Sequence, residues 1–375
     1  MWAAGVILLA VAFVLSTSLT LIIRKAAPRL DFLDRPDEPL DWGRGPVERR
    51  KTHARAIPYG GGIAIFLGVT VPLACAAAAV LYSHAYGRAW WLPEAMYEPV
   101  RVHLSGAVRK LPQFAAVLAG GFVICLLGLI DDRRRLGPVT KLVVEFLVAG
   151  MLAAVGVRVT LFLHSELLGA VVTVVWIVVI TNAFNFLDNM DGLSAGVAFI
   201  IACVFVLVAV EDGQLFIAAA LIPLVGALAG FLPFNCSPAS IFMGDAGSLF
   251  IGYFLAVLSV LFTFYSGPTV SFRPVVLPLI IFAVPIYDAV SVTVIRLRES
   301  RSPLIGDKRH LSHRLVELGL TERLAVLAIH LLTLGIALAA VSLYLVHGTF
   351  GEVMTIIQTL TLLSLVVVME RAIRT

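Results

Sequence analysis

The 375 residues are 60% hydrophobic and only 14% charged, against about 45–50% apolar and about 25% charged in a soluble domain, which excludes an ordinary soluble globular protein. The formal net charge of +4 comes from basic residues spread over loops that border apolar runs, where orientation in a bilayer accounts for them and no nucleic-acid partner is expected. Four cysteines, Cys75, Cys125, Cys203 and Cys236, lie in or beside those runs without C-x-x-C spacing, so neither a disulfide framework nor a structural zinc site is indicated.

The first apolar run, Met1–Ile23, has no basic leader or small-residue cleavage motif and ends at Arg24 and Lys25, so it reads as a retained span. Further spans are predicted at Gly60–Tyr82, Phe114–Ile130, Lys141–Val157, Val171–Phe186, Leu193–Val210, Leu215–Phe234, Leu249–Phe264, Val275–Leu297, Leu324–Val346 and Val353–Met369. The expectation is an all-α integral membrane protein, one polytopic domain over residues 1–375, with eleven transmembrane helices. Sorting Lys and Arg by alternate loops puts 22 of the 28 on one side, which makes that side cytoplasmic. The N-terminus is then outside and the C-terminus inside. The polar motifs fall on the cytoplasmic face, although they played no part in the sort. No internal repeat with paired broken helices, the pointer to an alternating-access transporter, is present.

Asp131-Asp132 closes one span beside Arg133-Arg134-Arg135; the pair reads as a cation or phosphoryl-acceptor site, or as a solvated helix end. Lys141 opens the next span, as a phosphate ligand or a snorkelling anchor. The segment N-A-F-N-F-L-D-N-M-D-G-L, Asn182 to Leu193, carries more. In a continuous helix Asn185, Asp188 and Asp191 would share one face, and such groups are costly at a membrane mouth unless they bind something; the alternative is a helix C-cap with Gly192 ending the turn, which explains the glycine but not the acids. Asp245, in M-G-D-A-G-S, lies between glycines that let backbone approach a ligand, and one carboxylate with substrate phosphates is a common Mg²⁺ site. Asp288 sits mid-span, as a functional group or as helix-packing glue. In D-K-R-H-L-S-H-R-L-V-E-L-G, within a cytoplasmic loop at 298–323, His310, His313, Arg314 and Glu317 fall on one face of a short amphipathic helix with Leu311, Leu315 and Leu318 opposite. That face suits a pyrophosphate, or the helix lies on anionic lipid. His53, Arg55 and the glycines at 60–62 form a phosphate cradle or a plain loop-to-helix junction.

Taken in order over Lys51 to Leu318, these motifs resemble the polyprenyl-phosphate N-acetylhexosamine-1-phosphate transferase family, of the glycosyltransferase family 4 type. The resemblance rests on Asp131-Asp132 with Lys141, the N-A-F-N-x-x-D-x-x-D-G-L segment, F-M-G-D-A-G-S and the late histidine loop. It implies transfer of an N-acetylhexosamine 1-phosphate, GlcNAc-1-phosphate in the favoured branch, from a UDP-N-acetyl sugar to polyprenyl (undecaprenyl) phosphate. UMP is released and a cell-envelope polysaccharide begun. The implied cofactor is Mg²⁺, with Mn²⁺ able to substitute, and the implied place is the inner (plasma) membrane, with room for a homodimer. By motif, Asn185 and Asp245 hold the metal, while Asp131, Asp132, His310 and His313 are catalytic. Lys141, Asn182, Asp188, Asp191 and Arg309 bind substrate, Asp191 at the uracil. The chain departs from the family's His-x-His-His with His310-Leu311-Ser312-His313.

Two other classes bear comparison. D-N-M-D-G-L-S-A-G opens like the D-x-x-D-G-x-x-A-R signature of CDP-alcohol phosphotransferases, but Gly196 replaces the arginine and the second aspartate motif is missing. A transporter would explain Asp288 but would spread polar residues through the bilayer depth.

Overall fold

Apolar runs without water to hydrogen-bond satisfy their backbone internally by forming helices. The computed structural model, which describes residues 2–35, 56–88, 93–159, 165–262, 273–302, 309–345 and 349–372, is built almost wholly of them. In chain order they are α1 (Trp2–Ala26), α2 (Gly61–Tyr86), α3 (Glu94–Arg101), α4 (Leu104–Arg134), α5 (Pro138–Ala154), α6 (Glu166–Leu187) and α7 (Leu193–Glu211). There follow α8 (Leu215–Asn235), α9 (Asp245–Leu261), α10 (Arg273–Ile281), α11 (Ala283–Arg298), α12 (Leu311–Glu317), α13 (Glu322–Leu345) and α14 (Thr349–Ala372). Two short strands, β1 (Leu33–Asp34) and β2 (Ile57–Pro58), pair antiparallel between α1 and α2.

Among the described residues eight helices, α1, α2, α4, α6, α7, α8, α13 and α14, are long and apolar enough to cross a membrane. The chain is therefore a multi-pass membrane protein, and large apolar side chains point outward, as with Val14 (60% exposed) and Leu147 (68%). Three of the eleven predicted spans take other forms. Lys141–Val157 and Leu249–Phe264 become α5 and α9, of 17 residues each. Val275–Leu297 divides at Phe282 into α10 and α11, because Pro278 and Pro285 offer no N–H on either side of the break.

Helices approach closely where glycine allows it. A Cβ at Gly226 or Gly230 of α8 would fall 2.4 Å from the Leu9 carbonyl or 2.6 Å from that of Phe13 in α1, the small-residue packing typical of membrane helices. At the centre stands α9, buried without interruption from Ala246 to Ser259 and packed by α2, α4 and α6. Its 17 residues rise about 26 Å, short of the roughly 30 Å hydrocarbon thickness. A helix enclosed by protein need not cover that distance.

Candidate active site

The start of α9 organises the polar end of the bundle. Asn235, at the end of α8, donates to the Ile241 carbonyl (3.1 Å) and accepts from the Gly192 N–H (3.2 Å), joining the turn after α6 to the loop that delivers Asp245. Gly61 and Gly62 donate their N–H groups to the Phe242 and Met243 carbonyls (3.0 and 2.9 Å). The glycine run at 60–62 is thus a junction tied to the Asp245 loop, while His53 and Arg55 lie outside the described residues. A Cβ at Gly62 would stand 2.2 Å from the Gly247 nitrogen, and one at Gly128 in α4 would stand 2.4 Å from the Asp245 carbonyl oxygen. These contacts bring the end of α4 against the first turn of α9.

Asp132 uses that proximity to cap a helix other than its own. Its two oxygens accept from the Asp245 N–H (2.7 Å) and the Ala246 N–H (3.2 Å), satisfying orphan donors and placing negative charge at the positive end of the α9 dipole. Asp131 turns instead toward α5. Lys141 Nζ lies 3.0 Å from Asp131 Oδ2 and 2.8 Å from Asp245 Oδ2, so one ammonium bridges carboxylates from two helices. The other oxygen of Asp245 accepts from Asn185 Nδ2 (2.9 Å), which also reaches Ser248 Oγ (3.0 Å). Four predicted residues, Asp131, Lys141, Asn185 and Asp245, thereby form one linked cluster from α4, α5, α6 and α9, with Asp132 beneath it.

Asn182 is held one turn back on α6, where its amide donates to Glu145 and to the Val178 carbonyl (2.9 Å). Glu145, buried one turn beyond Lys141, keeps one oxygen without a hydrogen-bond partner among the described residues. The sequence reading passed over it inside an apolar run, although an acid there is itself a functional signal.

The shared helical face for Asn185, Asp188 and Asp191 does not form, because α6 ends at Leu187 and Asp188 is its C-cap. Gly192, at φ 71°, turns the chain straight into α7, so the two aspartates lie on a tight turn. Asp188 stays near the cluster: burial, then the charges of Asp245 and Asp191, push its carboxyl up to about 8. Asp191 turns away and accepts from the Ala239 N–H (2.9 Å). It lines a cavity of about 210 Å³ with Cys236, Ser237, Glu322, Arg323 and His330. Gly196, where the CDP-alcohol signature has arginine, packs on His330 so closely that a Cβ would meet its Nε2 at 2.3 Å.

The histidine loop forms α12, in which His310 and Arg314 of the polar face are buried together with Leu311 and Leu315, while Glu317 is exposed. Arg314 is buried, donating to Glu370 of α14 (3.0 Å), Ser291 of α11 (2.9 Å) and the Arg309 carbonyl (2.7 Å). His310 is buried as the N-cap residue, with Nδ1 2.8 Å from Asp288 Oδ2. The other Asp288 oxygen accepts from the Leu311 N–H (2.6 Å), which supplies the partner that the sequence could not name. Ser312 donates to Asn189 in the α6–α7 turn (2.6 Å). His313 is half-buried, and Arg309, more open, pairs with Glu299 (3.1 Å).

No three His, Cys, Asp or Glu side chains among the described residues already form a metal cluster. Mg²⁺ does not require one, since it is commonly held by one or two carboxylates, waters and substrate phosphates. Asp245, with the Asn185 amide beside it and a cation already drawn to it, fits that donor set.

Residues 114–263 match the family model described as glycosyl transferase family 4. The chain is 31% identical over 345 residues to a probable undecaprenyl-phosphate N-acetylglucosaminyl 1-phosphate transferase of Bacillus subtilis (strain 168), covering 89% of this chain and 84% of the relative. It is 34% identical over 322 residues to a decaprenyl-phosphate N-acetylglucosaminephosphotransferase of Mycolicibacterium smegmatis, covering 78% and 73%. With an undecaprenyl-phosphate alpha-N-acetylglucosaminyl 1-phosphate transferase of Yersinia pestis it shares 26% over 366 residues, covering 94% and 86%.

Proposed function

The chain belongs to the polyprenyl-phosphate N-acetylhexosamine-1-phosphate transferases of glycosyl transferase family 4, and from that premise we propose the donor, cofactor and residue roles of its reaction. It is a phosphoglycosyltransferase that moves N-acetylglucosamine 1-phosphate onto a polyprenyl phosphate. We assign UDP-N-acetylglucosamine as donor, undecaprenyl phosphate as acceptor, UMP as released product, and the cytoplasmic face of the plasma membrane as the place. The eleven-span topology with the N-terminus outside belongs to this reading too, α5, α9 and the α10–α11 pair serving as the three remaining crossings. The observation that carries it is the joining of Asp131, Lys141, Asn185 and Asp245 from four helices at one end of a membrane bundle.

Mg²⁺, held by Asp245 and Asn185, would neutralise charge on the donor diphosphate. The chain's own residues do the rest by positioning. A phosphomonoester has its second pKa near about 6, so the acceptor is mostly dianionic at pH 7 and hardly needs a strong base. The larger task is to bring that dianion to an anionic diphosphate, and Lys141, His310 and His313 supply the protein's cationic and hydrogen-bonding groups for it. Asp131, at the membrane boundary, positions the acceptor. Asp132, with both oxygens committed to α9, acts by fixing Asp245. Asp191 receives the uracil. Radiolabel from UDP-N-acetylglucosamine should appear in butanol-extractable lipid when polyprenyl phosphate is supplied. A purified protein that labels no lipid with this donor would refute the assignment of donor and acceptor.

A further inference from the structure

Asp288 lies in α11, is wholly buried, and belongs to none of the roles above. As a carboxylate it can only accept, and it accepts twice: the Leu311 N–H at 2.6 Å on Oδ1, and His310 Nδ1 at 2.8 Å on Oδ2. The first bond fixes the start of α12. The second requires the proton of His310 to sit on Nδ1, which leaves Nε2 as the nitrogen able to meet a substrate. Nε2 has no hydrogen-bond partner among the described residues, and the side chain is 7% exposed. The ring stands 5.8 Å from that of Phe186, the residue after Asn185, so it borders the cluster that holds Asp245. Buried ions survive where they are paired and bonded on every side, and among the described residues this one is bonded only to the histidine and the backbone beside it.

We propose that Asp288 is a positioning residue of the transfer reaction, setting the tautomer and orientation of His310 so that Nε2 faces the phosphate oxygens of the substrates. In this arrangement Nε2 receives a proton from a protonated phosphate oxygen, and the charge that the ring gains is balanced by the Asp288 carboxylate. The same ring then donates Nε2–H to a phosphoryl oxygen. The proposal rests on the transferase reading of the site, in which His310 meets the phosphates.

Two measurements test it. In protein labelled with ¹⁵N-histidine, the His310 signal, assigned by its loss in His310→Ala, should carry its proton on Nδ1. A wild-type ring protonated on Nε2 alone overturns the proposal, and this readout does not depend on turnover. In the transfer assay, Asp288→Asn keeps an oxygen for Leu311 but turns an NH₂ toward the ring. It should lower kcat by about 10²- to 10⁴-fold with KM for both substrates changed less than about threefold, and Asp288→Glu should recover part of the loss. In the His310→Ala background the same substitution should cost nothing further. Retained kcat in Asp288→Asn, or an equal further loss without the histidine, removes Asp288 from this role. A wild-type protein with no transfer at all would instead count against the transferase reading and leave the tautomer result standing.

Discussion

Replacing Lys141 with methionine keeps the side-chain length and deletes the ammonium that bridges Asp131 and Asp245. At 3.0 and 2.8 Å and an effective dielectric of about 20, each pair attracts by roughly 5–6 kcal/mol before desolvation is set against it. Removing one member of a buried ion set costs about 3–5 kcal/mol, because the partners remain buried and unpaired. The three side chains are 17%, 13% and 26% exposed, so water recovers only part of that. The variant should therefore be less stable without divalent cation and should bind Mg²⁺ more tightly, since Lys141 no longer competes for Asp245. If only about 1.4 kcal/mol of the repulsion is relieved by the ion, affinity rises about tenfold. Transfer should still fall by about 10²- to 10³-fold, the usual cost of losing one preorganised group aimed at transition-state charge. Mn²⁺ binding read by electron paramagnetic resonance in detergent, beside the lipid-labelling assay, separates the two effects. Unchanged or weaker cation binding in Lys141→Met would refute the idea that ammonium and metal share a carboxylate.

Chelation with EDTA should abolish transfer and Mg²⁺ restore it, with Mn²⁺ substituting; full turnover in metal-free buffer would release Asp245 and Asn185 from their assigned role. Because the Asp188 carboxyl is pushed up to about 8, the cation-free fold loses stability as pH rises from the ordinary carboxylate range through about 8. A cation arriving beside it should expel its proton. Calorimetry in buffers of different ionisation enthalpy should register proton release on Mg²⁺ binding near pH 7, and Asp188→Asn should remove it; equal release by the variant would exclude Asp188 as the source. Glu370→Ala strands the buried Arg314 and should cost about 3–5 kcal/mol, lowering the melting temperature in detergent and transfer together. An unaltered Tm would mean that α14 does not hold α12.

The residues of the cluster were legible because charged and amide side chains at the ends of apolar runs are costly unless employed, and Asp131, Lys141, Asn185 and Asp245 each stand at such an end. Their division of labour was not. Nothing in Asp131-Asp132 says that the second carboxylate caps α9 across 113 residues of chain while the first meets Lys141. The three-residue spacing of Asn185, Asp188 and Asp191 reads as one helical face, yet Gly192 imposes a turn that ends α6 at Leu187. Asp288 showed its importance by its depth and hid its partner, since His310 arrives from another helix. Glu145 was hidden by the averaging that finds spans, where one acid among many apolar residues leaves the run intact.

The short central helix connects the fold to the chemistry. A lipid phosphate is held near the headgroup level by its own chain, whereas a nucleotide sugar arrives from water, so a transferase joining them gains from acids sited at the membrane boundary. The 17 residues of α9 are enough only because α2, α4 and α6 surround it, and its first turn is closed by Asp132 from α4 instead of by solvent. Gly62 and Gly128 permit that closure, each admitting backbone where a Cβ would collide at 2.2 and 2.4 Å, and Gly247 leaves room for the Met243 side chain, which a Cβ would meet at 2.1 Å. Replacing Gly128 by alanine should accordingly lift α4 off the Asp245 turn, breaking the Asp132 cap and the Lys141 bridge together. Its effect on transfer should approach that of Asp245→Asn, although the added methyl touches no substrate. Wild-type turnover in Gly128→Ala would show that the close approach is dispensable, and with it the coupling between helix packing and the acid cluster.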